Sequence, residues 1–336
     1  MCQEQSKKCD ICGKENRNLA SFCRRCGARL ATNTAQNSAE LDSIMPEIIG
    51  HKALKELTKT IISTHLNHIA RGIKRSRNND LLIFGSSGTG KSLIVKSLAK
   101  VLYENGILTK EEPIVLNAVT SLQSYLNEAD KHLDEISGAL LCVDAFQGLA
   151  HNAKDGSAIT ELERLYEVKA MVEGKGNYMM IVVTGIDNGD ISAYLHNNSN
   201  IAANFRQRID LEDYSVDELV NLTVYFLSQT YSMMVEAAAV EKLRRIYKQM
   251  VIDKDKHLEQ NGKYVLKIVD KIFDKSQARD AMTTIIKSED IEGKEYVKKT
   301  YKEAISELDK YVGIDEIRKE IKTICTVGDS YQLAIR

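Results

Sequence analysis

The sequence predicts an α/β protein: a phosphate loop (P-loop) within a doubly wound parallel sheet, followed by a C-terminal helical lid and preceded by a small N-terminal zinc ribbon. Three observations lead there. Leu81-Leu82-Ile83-Phe84 runs directly into Gly85-Ser86-Ser87-Gly88-Thr89-Gly90-Lys91-Ser92, which opens into Leu93-Ile94-Val95-Lys96-Ser97-Leu98. That is a strand, a Gly-x-x-x-x-Gly-Lys-Ser loop and a helix. Strand-like and helix-like segments then alternate, as a parallel sheet with crossover helices requires. Near the start stand two matching Cys-x-x-Cys-Gly knuckles, Cys9-Cys12 and Cys23-Cys26.

The bulk composition bounds the reading. A chain of 336 residues, 43% of them apolar, has room for two or three domains and a sizeable core. With a net charge of −1 it is not globally attracted to nucleic acid or to an anionic membrane, so any such partner needs a local patch. No apolar run approaches the roughly 18 residues of a membrane span. The polar opening Met1-Cys2-Gln3-Glu4-Gln5 lacks a signal-peptide core, and a cytoplasmic protein without a membrane partner is expected.

In chain order, residues 1–30 form the metal unit and 31–39 a linker without apolar periodicity. Residues 40–214 form the nucleotide-binding module, with strands expected at 81–84, 113–117, 139–143 and 178–184 and a weaker one at 209–211. Helices are expected at 50–72, 122–136 and 159–172. Beyond Tyr214 the strand signal stops, and helical periodicity at 216–229, 236–251 and 264–274 predicts a helical lid over 215–305. Two prolines in the whole chain interrupt little of this. Residues 306–336 contain Glu307-Leu308-Asp309-Lys310-Tyr311-Val312-Gly313-Ile314, similar to the Glu40-Leu41-Asp42…Ile49-Gly50 opening of the first module. That segment is expected to begin a second module.

Four of the seven cysteines fall in the N-terminal knuckles, whereas Cys2, Cys142 and Cys325 are isolated, which argues for a metal site and against a disulfide framework. Paired thiolates on two tight turns suit a closed tetrahedral Zn²⁺ site of structural type, with Cys9, Cys12, Cys23 and Cys26 as ligands. Lys7, Lys8, Lys14, Arg17, Arg24, Arg25 and Arg29 face only Glu4, Asp10 and Glu15 there, so nucleic acid is an open partner. A protein partner is favoured, because Phe22 alone offers a stacking surface.

In the loop, Gly85, Gly88 and Gly90 let successive N–H groups face one anion at the start of a helix, with Ser86, Ser87 and Thr89 completing the cradle. Lys91 is expected to reach the β- and γ-phosphates of a nucleoside triphosphate and Ser92 to bind Mg²⁺. Ala139-Leu140-Leu141-Cys142-Val143-Asp144 is an apolar strand ending in a carboxylate suited to hold the same ion. The residue after it is Ala145, where a water-orienting glutamate is expected.

These residues resemble the AAA+ ATPases, and within them the CbxX/CfxQ type that includes stage V sporulation protein K. The similarity runs from about Glu40 to Tyr301. Residues 139–149 are similar to the family's Gly-Val-Leu-Phe-Ile-Asp-Glu-Ala-Tyr, with the glutamate replaced or deleted. The resemblance implies ATP as the nucleotide and Thr184 as the sensor of the γ-phosphate. In Phe205-Arg206-Gln207-Arg208-Ile209 it implies arginines, Arg206 and Arg208, that reach a neighbouring subunit's nucleotide. Asp213-Tyr214-Ser215-Val216-Asp217-Glu218-Leu219 resembles the entry to the lid. Asn261-Gly262-Lys263-Tyr264-Val265 is similar to Asn-Gly-Arg-Tyr-Val, which makes Lys263 the second sensor. A homo-oligomeric ring acting on a protein substrate or adaptor follows from the same resemblance. Hydrolysis is in question without the glutamate, and a non-hydrolysing nucleotide scaffold is the competing expectation. Tyr125 reads equally as a core residue or a substrate-gripping one.

Overall fold

The computed structural model describes residues 42–73, 78–152, 158–187, 189–205 and 207–296, the segments Ser6–Lys8 and Glu15–Arg17, and the single residues Glu316 and Glu320. Cys9, Cys12, Cys23 and Cys26 lie outside the described residues, as do Arg206, the linker and nearly all of 306–336. Ser6–Lys8 (β1) and Glu15–Arg17 (β2) pair antiparallel, with Ser6 opposite Arg17. The chain divides into two compact units, Met1–Leu222 with Glu259–Val265, and Thr223–Leu258 with Leu266–Arg336.

The first unit is built on a five-stranded sheet whose described pairings are all parallel. Leu81–Gly85 (β3), Ile114–Asn117 (β4), Leu140–Asp144 (β5), Met180–Gly185 (β6) and Gln207–Leu211 (β7) lie in the order β4-β5-β6-β3-β7. The three central strands are buried along their apolar residues, as strands covered on both faces must be. Their side chains divide with period two. Leu81, Ile83, Leu140, Cys142, Met180 and Val182 pack into one core with Leu54, Ile61, Ile94 and Leu98, which come from helices α1 (Lys52–Ala70) and α2 (Lys91–Glu104). Leu82, Phe84, Leu141, Val143, Ile181 and Val183 pack into a second core on the opposite face. That core takes Leu122 and Leu126 from α3 (Leu122–Asn127), Ile136 from α4 (Ala129–Ile136) and Phe146 and Leu149 from α5 (Phe146–Asn152). It also takes Leu162 and Leu165 from α6 (Ala158–Gly174) and Ile191 and Tyr194 from α7 (Asp190–Asn197). Ile201 of the short α8 (Ser199–Ala202) closes it.

Two local departures from the sequence reading have physical causes. The helix expected over 122–136 is broken at Glu128, whose φ of −114° and ψ of 23° are not helical. The break lets the Tyr125 ring stack on His132 with centroids 4.3 Å apart, a pair that a continuous helix would separate by about 10 Å of rise. Tyr125, its phenol pushed to about 12 by burial and by Glu135, is therefore a packed residue of α3. The fifth strand extends back to Gln207, because Leu81 and Leu82 on β3 pair with Gln207 and Arg208 whatever those side chains are.

At the opposite end of the sheet from the phosphate loop, the Lys169 ammonium on α6 lies 2.7 Å from both oxygens of Asp80. Asp80 also accepts the Ile181 N–H at 2.7 Å and the Tyr166 hydroxyl at 3.1 Å. Both charged residues are buried, so this cluster ties α6 to the starts of β3 and β6.

In the second unit, helices α9 (Val216–Tyr231), α10 (Ala237–Ile252) and α11 (Gly262–Arg279) supply the helical body, with α9 and α11 each beginning in the first unit. Thr223 and Tyr247 share a buried hydrogen bond of 2.8 Å, and Tyr231 stacks on Phe273 at 3.9 Å. Beside these helices, Met234–Val235 (β8) and Ile285–Ile286 (β9) form a short parallel ladder. Two-residue strands are too short to leave a periodic signal.

Removing one member of a buried ion pair strands the other. Lys169→Ala should destabilise the fold by about 3–5 kcal/mol in denaturant unfolding at neutral pH, more than Lys169→Ala combined with Asp80→Ala.

Candidate functional site

The phosphate loop runs from Gly85, at the end of β3, to Gly90, whose φ of 87° caps α2. Five consecutive carbonyls of this loop are held by donors behind it. Lys91 Nζ donates to Gly85 O at 2.6 Å and to Ser86 O at 2.7 Å, and the Thr89 hydroxyl also donates to Ser86 O. Asn261 Nδ2 donates to Ser87 O at 3.3 Å, and the Gly262 N–H to Gly88 O at 3.0 Å. Thr89 O accepts from His51 Nε2 at 2.9 Å and from the Tyr214 hydroxyl at 3.2 Å. With the carbonyls turned back, the peptide N–H groups face the other way, and none from Ser86 to Lys91 donates to a protein acceptor among the described residues. A row of unpaired N–H groups at a helix start is an anion site.

The donors behind the loop are themselves positioned by special backbone geometry. His51 follows Gly50, and both are left-handed, at φ 49° and 74°. Asn261 is buried, sits at φ 49°, accepts the Tyr214 N–H at 3.1 Å and donates to Asp213 at 2.8 Å. Gly88, at φ 82°, leaves no room for a side chain, since a Cβ there would overlap the Gln260 carbonyl oxygen. The start of α9 carries a capping box in which Glu218 accepts from the Ser215 N–H and hydroxyl at 2.8 and 2.7 Å.

Two strands away, Asp144 ends β5, and its Oδ1 accepts the Thr184 hydroxyl at 2.6 Å. This pair brings together two sequence-predicted residues on neighbouring strands. The Cys142 thiol lies 3.7 Å from the same hydroxyl, and burial pushes it up to about 12, so it is chemically inert. Burial lowers the Lys91 pKa, the Asp144 carboxylate opposes that shift and the Lys263 charge adds to it. Lys263 is exposed in the first turn of α11, next to the Gly262 that grips the loop. Ser92 is exposed at the start of α2. The Ser92 hydroxyl and the Asp144 carboxylate are hard oxygen donors of the kind Mg²⁺ takes.

Arg208 points elsewhere. Its guanidinium bonds to Asp187 at 2.8 Å and Asp210 at 2.7 Å, donates to the Ser192 hydroxyl at 3.2 Å and lies over the Phe84 ring at 5.0 Å. Ala145 has a φ of 58°, so the chain leaves β5 in one left-handed step and enters α5 with no carboxylate at that position. Of the glutamates on α6, Glu163 accepts from Asn200 at 3.3 Å, Glu167 is exposed, and Glu161 buries an oxygen that has no partner among the described residues. The sequence reading missed His51, Tyr214 and Asn261 as the anchors of the loop, and it missed Gln147, whose carboxamide accepts the Ile186 N–H at 3.1 Å. The Gly50-His51 step was the one local clue to the first of these.

No described helix is long and apolar enough to cross a membrane. No protein-family model matches the chain. Over 217 residues it is 24% identical to the ESX-3 secretion system protein EccA3 of Mycolicibacterium smegmatis, covering 62% of this chain and 35% of that protein. It is 25% identical over 175 residues to the ESX-1 secretion system protein EccA1 of the same organism, covering 51% of this chain and 30% of that one. EccA3 of Mycobacterium leprae is 22% identical over 259 residues, 71% of this chain and 40% of that protein. The chain thus spans between 30% and 40% of the length of these curated relatives. Among solved structures, the crystal structure of NtrX from Brucella abortus in complex with ATP is similar with a TM-score of 0.45 and 12% identity, over 78% of this chain and 61% of that one.

The His51 anchor generates a pH prediction. Burial lowers its pKa below 6.5, with the Thr89 carbonyl and Glu218 opposing the shift and Lys55 adding to it. The unfolded chain takes up this proton near pH 6.5 and the folded chain only below it, so the contribution is complete above pH 6.5 and lost as pH falls. The stability difference between wild type and His51→Gln, measured by denaturant unfolding at pH 7.5 and 5.5, should shrink at the lower pH.

Proposed function

We propose that this chain is an ATP-binding AAA+ module of the CbxX/CfxQ type that couples nucleotide binding to the remodelling of a protein partner. The observation that carries the reading is the loop of five rear-anchored carbonyls with Lys91 and Ser92 at its end. It is a preformed cradle for the phosphates of a nucleotide. Lys91 exchanges its bonds to Gly85 O and Ser86 O for the β- and γ-phosphates. Thr184 is the proposed sensor of the γ-phosphate, a reading supported by its bond to Asp144, and Lys263, in the first turn of α11, is the proposed second sensor. Bound Mg²⁺ neutralises phosphate charge, and Ser92 and Asp144 are the residues that would hold it.

Assembly into a ring would bring Arg206 or Arg208 to a neighbour's nucleotide. Arg208 must first leave Asp187 and Asp210. The N-terminal Cys9, Cys12, Cys23 and Cys26 form a Zn²⁺ ribbon that recruits the partner, a reading supported by their spacing. The names of the relatives, components of secretion systems, are consistent with a protein rather than a nucleic acid partner. The domain divisions proposed are 1–30, 31–39, 40–214, 215–305 and 306–336, with the last opening a further module. A cytoplasmic location accords with all of this.

Ala145 favours a second reading, a nucleotide-dependent scaffold that binds ATP and hydrolyses it slowly or not at all. Its left-handed backbone means that Ala145→Glu would not restore the usual carboxylate geometry. An inserted glutamate after Asp144 would be the closer repair.

Titration of the full chain with Mg·ATP should show saturable binding that Lys91→Ala weakens at least tenfold, about 1.4 kcal/mol. If Lys91→Ala binds as tightly as wild type, the proposed site is wrong. Turnover per subunit that rises with protein concentration would support a ring with arginines supplied in trans; binding without turnover would support the scaffold.

A further inference from the structure

Position 145 cannot supply a carboxylate, yet the space above the ends of β5 and β6 is not without a polar group. Phe146 turns into the core, edge-on to Tyr194 with centroids 5.4 Å apart. The next residue, Gln147, turns the other way. Its Oε1 accepts the Ile186 N–H at 3.1 Å, just past the end of β6. A Cβ on Gly185 would lie 2.7 Å from that same oxygen, so the absence of a side chain at Gly185 is what lets the carboxamide lie across the strand ends. One residue before Gly185, the Thr184 hydroxyl donates to Asp144. Gln147 therefore spans the tips of the two strands that carry the carboxylate and its hydroxyl partner.

The carboxamide is fixed but not used up. An amide oxygen has a second lone pair, and Gln147 Nε2 has no protein acceptor among the described residues. One free acceptor and two free donors in a fixed plane can hold a water by its O–H and direct a lone pair, the function a glutamine performs in some phosphate-loop hydrolases.

We propose that Gln147 orients the attacking water in place of the missing glutamate, an inference that rests on the ATPase reading above. The water oxygen bonds to the γ-phosphorus while the bond from that phosphorus to the bridging oxygen breaks, its electron pair staying with ADP. The carboxamide accepts no proton in this step. The water's protons leave with the inorganic phosphate and to solvent, and ATP and water become ADP, phosphate and one proton. Such a group gives a rate far below that of a general base, since it positions without removing a proton.

The test is single-turnover hydrolysis of Mg·ATP by the full chain, with ATP affinity and thermal unfolding measured on every variant. Gln147→Ala should lower the chemical rate by about 10²-fold with affinity unchanged. Gly185→Ala, which displaces the carboxamide without touching the loop, should lower it similarly. Gln147→Glu should keep turnover and acquire an acid limb in its pH–rate profile, which a merely structural role would not produce. Glu161→Gln should hydrolyse as wild type does. The proposal is overturned if Gln147→Ala hydrolyses at the wild-type rate, if Glu161→Gln abolishes turnover, or if wild type binds ATP without hydrolysing it; in all three cases the ATP-binding reading survives. A wild-type chain that fails to bind ATP overturns both.

Discussion

An anion site made of main chain works only if the carbonyls of the same peptides are held somewhere else. In the segment from Gly85 to Thr89 each carbonyl has its own donor, drawn from Lys91, Thr89, Asn261, Gly262, His51 and Tyr214. Each such bond contributes on the order of 1 kcal/mol net, but a missing one leaves a carbonyl free to turn into the site and repel phosphate. The left-handed residues His51 and Asn261 and the bare Cα of Gly88 all follow from this requirement, because the donors must approach the loop from behind at close range.

The sheet makes that loop a rigid object. β3 lies between β6 and β7 and is buried from Leu81 to Phe84, so the loop springs from a strand that cannot shift without opening both cores. At the far end, Lys169 and Asp80 fasten α6 to the same pair of strands. The strand order also explains why Thr184 meets Asp144: β6 lies between β3, which carries the loop, and β5, which ends in the carboxylate.

Much of the first unit was legible because its signals are local. Four apolar residues followed by a glycine loop and an apolar-periodic helix define strand, turn and helix within eighteen consecutive positions, and the central strands are continuous apolar runs. What was not legible depends on residues far apart in sequence. Tyr214 and Asn261 meet the loop across 125 and 174 positions, and no periodicity encodes such a meeting. The break at Glu128 allows Tyr125 to stack on His132, and the extension of β7 comes from pairing to β3, and neither contact leaves a periodic signal. Arg208 pairs with Asp187 and Asp210, partners that its motif does not name.

The resting place of the Lys91 ammonium bears on how fast a ligand can be captured. Gly85 O and Ser86 O hold it at 2.6 and 2.7 Å, so an anion that takes the lysine must compete with two main-chain carbonyls. Capture then becomes an exchange of partners within a rigid cage, with little chain to order. In an exchange of that kind the rate is governed by diffusion and electrostatic attraction rather than by a conformational search, and selectivity among anions falls to the departure step.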